Sequence, residues 1–142
     1  MQELRNYIKT VELMPVEQID EATNGSSVDT FYNDTQGHHF DSILIRVGAG
    51  DFGLDIGSVK FKVEESNVSN FASGVTVASG GEEVSVGEEE GHDFQIERTK
   101  RYIRVVATPV DIASPSEDPG EDVATIHATG ILANWAIPMP LL

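Results

Sequence analysis

Residues 58–65, with the sequence SVKFKVEE, carry the clearest structural signal in the chain. Apolar and charged side chains alternate there: the apolar residues are Val59, Phe61 and Val63, and the charged residues between them are Lys60, Lys62 and Glu64. Successive side chains of a β-strand point to opposite faces of its sheet. The alternation therefore predicts a strand with one buried face and one hydrated face.

Two further segments predict strands that are buried more deeply. The strand expected over residues 40–47 has a single charge, Arg46, in its apolar second half. The strand expected over residues 102–108 places Ile103, Val105 and Ala107 on one face. We expect both strands to lie in the middle of their sheets, where neighbours on each side exclude water.

Weaker strand signals occur in residues 7–13, 74–78, 83–86, 94–98 and 125–132, each bounded by turn-forming residues. Helical signal is confined to residues 16–22, where a turn or two is expected after Pro15. About eight short strands with little helix predict an all-β fold, an antiparallel β-sandwich or jelly roll.

Composition limits the classes of partner. The 142 residues fit a single domain, and the chain has no cysteine and therefore no disulfide. With 24 acidic and 9 basic side chains, the formal net charge of -15 disfavours nucleic acid and anionic lipid as partners. We also expect no secretory signal and no membrane span, so the chain should be made in the cytoplasm.

Two acidic segments, residues 80–93 and 113–122, are expected to form solvated, mobile loops. We predict one β-sandwich domain over residues 1–132, followed by a distinct tail over residues 133–142. The tail has no charge and contains Pro138 and Pro140, which exclude an ordinary central strand. Its apolar residues are expected to pack either on their own sandwich or on a neighbouring subunit.

Motifs of catalytic and metal sites fail in their context. Gly48, Gly50 and Gly53 have the spacing of a dinucleotide fingerprint, but a strand rather than a helix follows them. The histidines lack the arrangement of zinc ligands, and the acidic segments lack the residue order of a calcium loop. We therefore predict no enzyme activity, no cofactor, no bound metal and no small-molecule substrate.

Four stretches together resemble small virion proteins of tailed bacteriophages, which are presumed capsid decoration or head-stabilising proteins. They are LRNYIK at residues 4–9, FDSIL at 40–44, VEES at 63–66 and KRYIRVV at 100–106. The resemblance spans most of the chain. It implies a structural virion protein that binds the outside of the capsid lattice and cements the phage head through protein–protein contacts.

The same resemblance implies that the partner is the major capsid protein and that the chain forms a symmetric homo-oligomer, for which we expect a trimer. On this hypothesis the partner-binding residues lie in the two terminal segments. They are Leu4, Tyr7 and Ile8 near the N-terminus, and Trp135, Ile137, Met139 and Leu142 near the C-terminus. Tyrosine and tryptophan suit such contacts because each buries a large, rigid area.

Two alternative functions stay open from the sequence. A phage tail or head–tail connector component would also use a β-sandwich. A carbohydrate-binding β-sandwich module would present exposed aromatic rings on one sheet face, and Trp135 is the single tryptophan of the chain.

Overall fold

The computed structural model describes residues 7–33, 35–116 and 120–134. Within these ranges every regular element is a β-strand, and there is no helix that could span a membrane. The strands are β1 (Tyr7–Ile19), β2 (Thr23–Asn24), β3 (Val28–Asp29), β4 (Phe31–Asn33), β5 (His38–His39), β6 (Ser42–Phe52), β7 (Ile56–Ser66), β8 (Thr76–Val77), β9 (Val84–Val86), β10 (Gly91–Ile96), β11 (Tyr102–Asp111) and β12 (Ala124–Asn134).

Two antiparallel sheets form the sandwich. One has the strand order β1-β12-β6-β10; in the other, β11 and β7 are central, β2 and β3 both pair with β11, and β8 and β9 both pair with β7. If β2 and β3 are counted as one interrupted strand, and β8 and β9 as another, the two sheets together contain eight strands. Numbered from one to eight along the chain, these strands have the order 1-8-3-6 in the first sheet and 2-7-4-5 in the second. This topology is a jelly roll, so the predicted all-β fold class is confirmed.

The core lies between the two sheets and follows the alternation seen in the sequence. Val59, Phe61 and Val63 are fully buried on the inner face of β7. Across the ladder, Val105 lies opposite Val63 and Ala107 lies opposite Phe61, and both are also fully buried. The predicted inward and outward faces of residues 58–65 and 102–108 are therefore confirmed.

Both strands expected to be central are central: β6 lies between β12 and β10, and β11 lies between the β2–β3 strand and β7. Ile43, Ile45 and Val47 of β6 are buried in the core. Leu44 differs, because it points to the outer face and is 39% exposed. Although β6 lies in the middle of its sheet, only one of its two faces is therefore buried.

The helical turn predicted for residues 16–22 is wrong. The strand β1 continues to Ile19, and Gln18 and Ile19 pair with β12. The register of this pairing shifts twice, between Glu12 and Met14 and between Met14 and Glu17, and Pro15 lies within the second shift. A proline is accepted at such an irregularity of an edge strand because no ladder hydrogen bond is required of it.

The acidic segment 80–93, expected to be a solvated loop, includes the strand predicted at residues 83–86 and the start of the strand predicted at 94–98, which begins three residues earlier. It contains β9, which pairs with β7, and the first half of β10, which pairs with β6. Its charged side chains still lie at the surface, where Lys60 and Glu83 are 3.8 Å apart. At the other end of the sandwich, β4 and β5 form a separate two-stranded sheet.

Candidate interaction surfaces

The predicted partner-binding residues that the structure describes lie at one end of the sandwich. Tyr7 begins β1 and lies opposite Asn134, which ends β12; Ile8 lies opposite Ala133. Tyr7 and Asn134, the first and last residues that the structure describes, therefore lie side by side. The remaining predicted residues lie outside the described ranges: Leu4, Trp135, Ile137, Met139 and Leu142.

Aromatic rings from three strands and a loop residue hold this end together. The ring of Tyr7 stacks on that of Tyr32 in β4, with centroids 4.7 Å apart and planes at 20°. Tyr32 also contacts Phe40 at 5.3 Å and His38 at 5.7 Å between ring centroids. The side-chain amide of Asn134 donates a hydrogen bond of 2.8 Å to the Tyr32 hydroxyl. Tyr7 is 39% exposed, so part of its ring is free to contact a partner.

A charged cluster lies beside this aromatic group. Arg101 donates two hydrogen bonds to the carboxylate of Asp29, at 2.9 and 2.7 Å, and its guanidinium lies 4.5 Å from the Phe31 ring centroid. Arg98 lies 5.3 Å from the same centroid. Burial lowers the pKa of Arg98, and the charges of nearby carboxylates oppose that lowering. Such pairing of arginine with both a carboxylate and a ring fixes the turn that precedes β11.

Asp29 is expected to make the stability of the protein depend on acid pH. Burial disfavours its charged form, but hydrogen bonds from Arg101 and from the Phe31 N–H outweigh that effect, so the pKa of Asp29 lies below its ordinary value. Its contribution is therefore complete above the unfolded-state pKa of about 3.9 and is lost as the pH falls through the lower folded-state value.

We expect Asp29→Asn to lower the free energy of unfolding at neutral pH by about 1 kcal/mol or less, because the pair is partly hydrated. The same variant should show a weaker loss of stability between about pH 5 and pH 2. Urea unfolding followed by circular dichroism over this pH range measures both. The exposed Asp20, changed to asparagine, is the control, and an equal pH profile for the two variants would contradict the prediction.

The outer face of the four-stranded sheet carries exposed aliphatic side chains. Ile8 is 65% exposed, Ile131 is 47% exposed and Leu44 is 39% exposed. Ile131 lies directly opposite Leu44 in the pairing of β12 with β6, and Ile8 is one strand away on β1. We call these three residues the apolar patch. Exposed apolar side chains grouped on one sheet face are a common feature of protein–protein contact sites.

An ion pair borders the apolar patch. Arg46 lies two residues beyond Leu44 on the same face, and it donates hydrogen bonds of 2.8 and 3.0 Å to the carboxylate of Asp93 on β10. The hydrogen bond with Arg46 lowers the pKa of Asp93. The face therefore combines an aliphatic centre with a charged rim, as protein interfaces do.

A polar groove of about 650 Å³ continues from this rim toward the turn that leads into β10. Its lining includes Glu89, Glu90, His92 and His127. The ring of His127 lies directly over Gly48, where any larger residue would collide with it. A hydrogen bond with Asp51 raises the pKa of Glu89.

All residues that line the groove belong to the described part of the chain. No group of three or more histidine, aspartate or glutamate side chains there is arranged to hold a metal ion. In the same part of the chain, the hydroxyls of Thr30 and Ser66 donate hydrogen bonds to backbone carbonyls, and those of Thr99 and Ser116 donate to carboxylates.

Comparison with known proteins concerns the fold. No protein-family model matches the chain, and no curated protein sequence matches it. A chain in the structure of infectious bursal disease virus, Gx strain, superimposes with a TM-score of 0.50 at 7% identity, covering 96% of this chain and 34% of that one. The coat protein of tobacco streak virus gives a TM-score of 0.41 at 12% identity, covering 96% of this chain and 90% of that one.

The chain thus spans about a third of the length of the infectious bursal disease virus chain. At 7% identity the likeness is one of fold, and it agrees with the jelly-roll strand order derived above. Jelly rolls occur in viral capsid proteins, lectins and cupins. The class defined by fold and surface is therefore a jelly-roll domain with an exposed apolar sheet face.

Proposed function

We propose that the chain is a structural virion protein that binds the outer capsid lattice of a tailed bacteriophage and cements the head. The apolar patch on the outer face of the four-stranded sheet is the observation that carries this proposal. Exposing aliphatic side chains to water is unfavourable in free energy, and binding of a partner that covers them removes this cost. The fold is compatible with this role, because jelly rolls are common building units of virions.

The proposed partner is the major capsid protein, and the proposed oligomer is a symmetric one such as a trimer. Each copy presents one patch, so an oligomer presents several patches to a repeating lattice. Linked weak contacts then give a high total affinity because later contacts form at high effective concentration. The pairing of Tyr7 with Asn134 supports this arrangement, because it places the first and last described residues next to Ile8 of the patch.

A carbohydrate-binding role finds less support in the described residues. The apolar patch is aliphatic throughout, whereas we expected a sugar platform to present aromatic rings on a sheet face. The rings of Tyr7 and Tyr32 stack on each other instead of lying open on that face. Protein contact therefore remains the better proposal for this surface.

Co-sedimentation with assembled capsids of the major capsid protein tests the function. We expect the full chain to pellet with capsids and to raise the temperature at which they rupture. A version ending at Asn134 should pellet less, because it lacks the apolar terminal residues proposed as contacts. A full chain that stays in the supernatant at every concentration would refute the proposed function.

A charge placed in the patch provides a matched test on the full chain. Leu44→Lys should weaken capsid binding about tenfold or more, because burial of an unpaired charge is costly. Leu54→Lys, at a side chain that is 79% exposed and lies outside the patch, is the control. Equal capsid binding by the two variants would remove the patch from the proposed interface.

A further inference from the structure

The strand β1 offers an open edge for another strand. It stands at the end of its sheet, and no strand of the described residues pairs with its outer side. Over residues 7–12 its pairing with β12 is regular, and the register shifts begin only after Glu12. An edge of this kind presents unpaired backbone N–H and C=O groups, to which a further chain can add.

The sequence directly after β12 has the pattern of a strand that can pair on one side only. In residues 135–141, WAIPMPL, prolines occupy the alternate positions 138 and 140. Alternate residues of a strand direct their backbone groups to the same side, so both missing N–H groups belong to one edge. The opposite edge keeps all its N–H groups. The residues whose N–H groups point to that edge would also have their side chains on one face of the strand. These residues are Trp135, Ile137, Met139 and Leu141.

We propose that residues 135–141 of one copy add as a strand to the outer edge of β1, residues 7–12, in a second copy of the chain. The two prolines face away from β1, where no hydrogen bond is needed. This inference deepens the proposed function, on which it rests, by naming how copies join on the lattice. The apolar side chains of the added strand then lie beside Ile8, the patch residue nearest that edge.

The geometry favours a second copy over the same chain. Within one chain, β12 already occupies the inner side of β1, with Asn134 opposite Tyr7. To reach the outer edge of the same β1, the chain would cross about 10 Å, or two strand spacings, and then turn back. The alternating pattern begins at Trp135, immediately after β12, so the crossing would use the residues that are suited to pairing.

Charge also favours contact between copies through this segment. Two molecules that each carry a formal charge of -15 repel each other over most of their surface. Residues 135–141 have no charge, and the edge segment 7–12 contains one lysine and one glutamate, Lys9 and Glu12. Their association therefore adds no net repulsion at the contact itself and desolvates few charged groups.

Matched proline substitutions in the full chain test the proposed pairing. Ala136→Pro places a third proline on the side that already lacks N–H groups, so self-association should remain unchanged. Met139→Pro removes an N–H from the pairing side and should raise the dissociation constant about tenfold or more. Met139→Ala keeps that N–H, and its effect should be smaller than that of Met139→Pro.

Sedimentation velocity over a concentration series measures these effects. The expected order of self-association is wild type and Ala136→Pro, then Met139→Ala, then Met139→Pro. Equal association of the two proline variants would overturn the proposal, as would a wild-type chain that is monomeric throughout. A loss in Met139→Ala as large as in Met139→Pro would also overturn it, because side-chain packing alone would then explain the contact.

The acceptor edge has its own matched pair. Ile8→Lys should weaken association because it places a charge beside the added strand. Val16→Lys should not, because Val16 is 74% exposed and lies within the second register shift of β1, outside residues 7–12. Mixing Ile8→Lys with Met139→Pro should restore a mixed complex, because one variant supplies an intact tail and the other an intact edge. Failure to form that complex would overturn exchange between copies.

Capsid co-sedimentation of the same variants separates this inference from the proposed function. Self-association in the predicted order without any capsid binding would leave the edge pairing standing and refute the capsid role. Capsid binding by the wild type together with equal self-association of Ala136→Pro and Met139→Pro would refute the edge pairing and leave the capsid role standing.

Discussion

Replacing Phe61 with alanine is expected to lower the free energy of unfolding by about 3–5 kcal/mol. Phe61 is fully buried on the inner face of β7, between Ala107 of β11 and Val84 of β9 in the ladder. Loss of the ring removes apolar burial and leaves a cavity that a two-sheet core can close only in part. Urea unfolding followed by circular dichroism measures the change.

Val77→Ala is the matched control for this prediction. Val77 pairs with Glu64 on the same strand β7, but it is 46% exposed, so its loss should change stability by about 0.5 kcal/mol or less. Both variants shorten an apolar side chain of the same sheet, and they differ in burial. Similar unfolding midpoints for the two would show that Phe61 is not part of a closely packed core.

The buried faces were predictable from sequence where polar and apolar residues alternate strictly. Residues 58–65 and 102–108 were placed correctly because the period of two is a local property of a strand. The end of β1 was not placed correctly, because polar and apolar residues do not alternate regularly over residues 16–22. Pro15 also suits the start of a helix as well as an edge strand. Pairing with β12, more than a hundred residues away, decided its structure.

The apolar patch was only partly predictable. Ile8 was named from sequence, but Leu44 was missed because it stands between Ile43 and Ile45, where apolar residues at every position hide the outward face. Leu44 is two residues from Arg46 and therefore lies on the same face of the strand. The charge of Arg46 could have indicated that this face points outward. Ile131 likewise lies an even number of residues from three polar residues of β12, which are Thr125, His127 and Thr129.

The pairing of Tyr7 with Asn134 could not be predicted from the sequence. The terminal residues were predicted separately as contacts, and no local pattern relates Tyr7 to Asn134. Their adjacency follows from the pairing of β1 with β12, the first and last strands of the jelly roll. The stacking of Tyr7 on Tyr32 depends in turn on the β4–β5 hairpin, which the sequence did not predict.

Glu65→Ala is expected to destabilise the protein by about 3 kcal/mol, because it leaves several donors without an acceptor inside the fold. Glu65 is buried, and only 2% of the residue is exposed. Its carboxylate accepts hydrogen bonds from the backbone N–H groups of Thr99 and Lys100, at 3.0 and 3.1 Å, and from the Thr99 hydroxyl. One carboxylate on β7 therefore holds the turn that leads into β11.

Glu83→Ala is the control, because Glu83 is exposed and its ion pair with Lys60, at 3.8 Å, should contribute about 1 kcal/mol or less. Glu65→Gln should lie between the two, since an amide keeps one acceptor oxygen and turns an N–H₂ group toward the donors. Hydrogen exchange at the amides of Thr99 and Lys100 should accelerate in Glu65→Ala and stay unchanged in Glu83→Ala. If Glu65→Ala and Glu83→Ala unfold at the same urea concentration with unchanged exchange, then the turn before β11 is held by the arginine cluster alone.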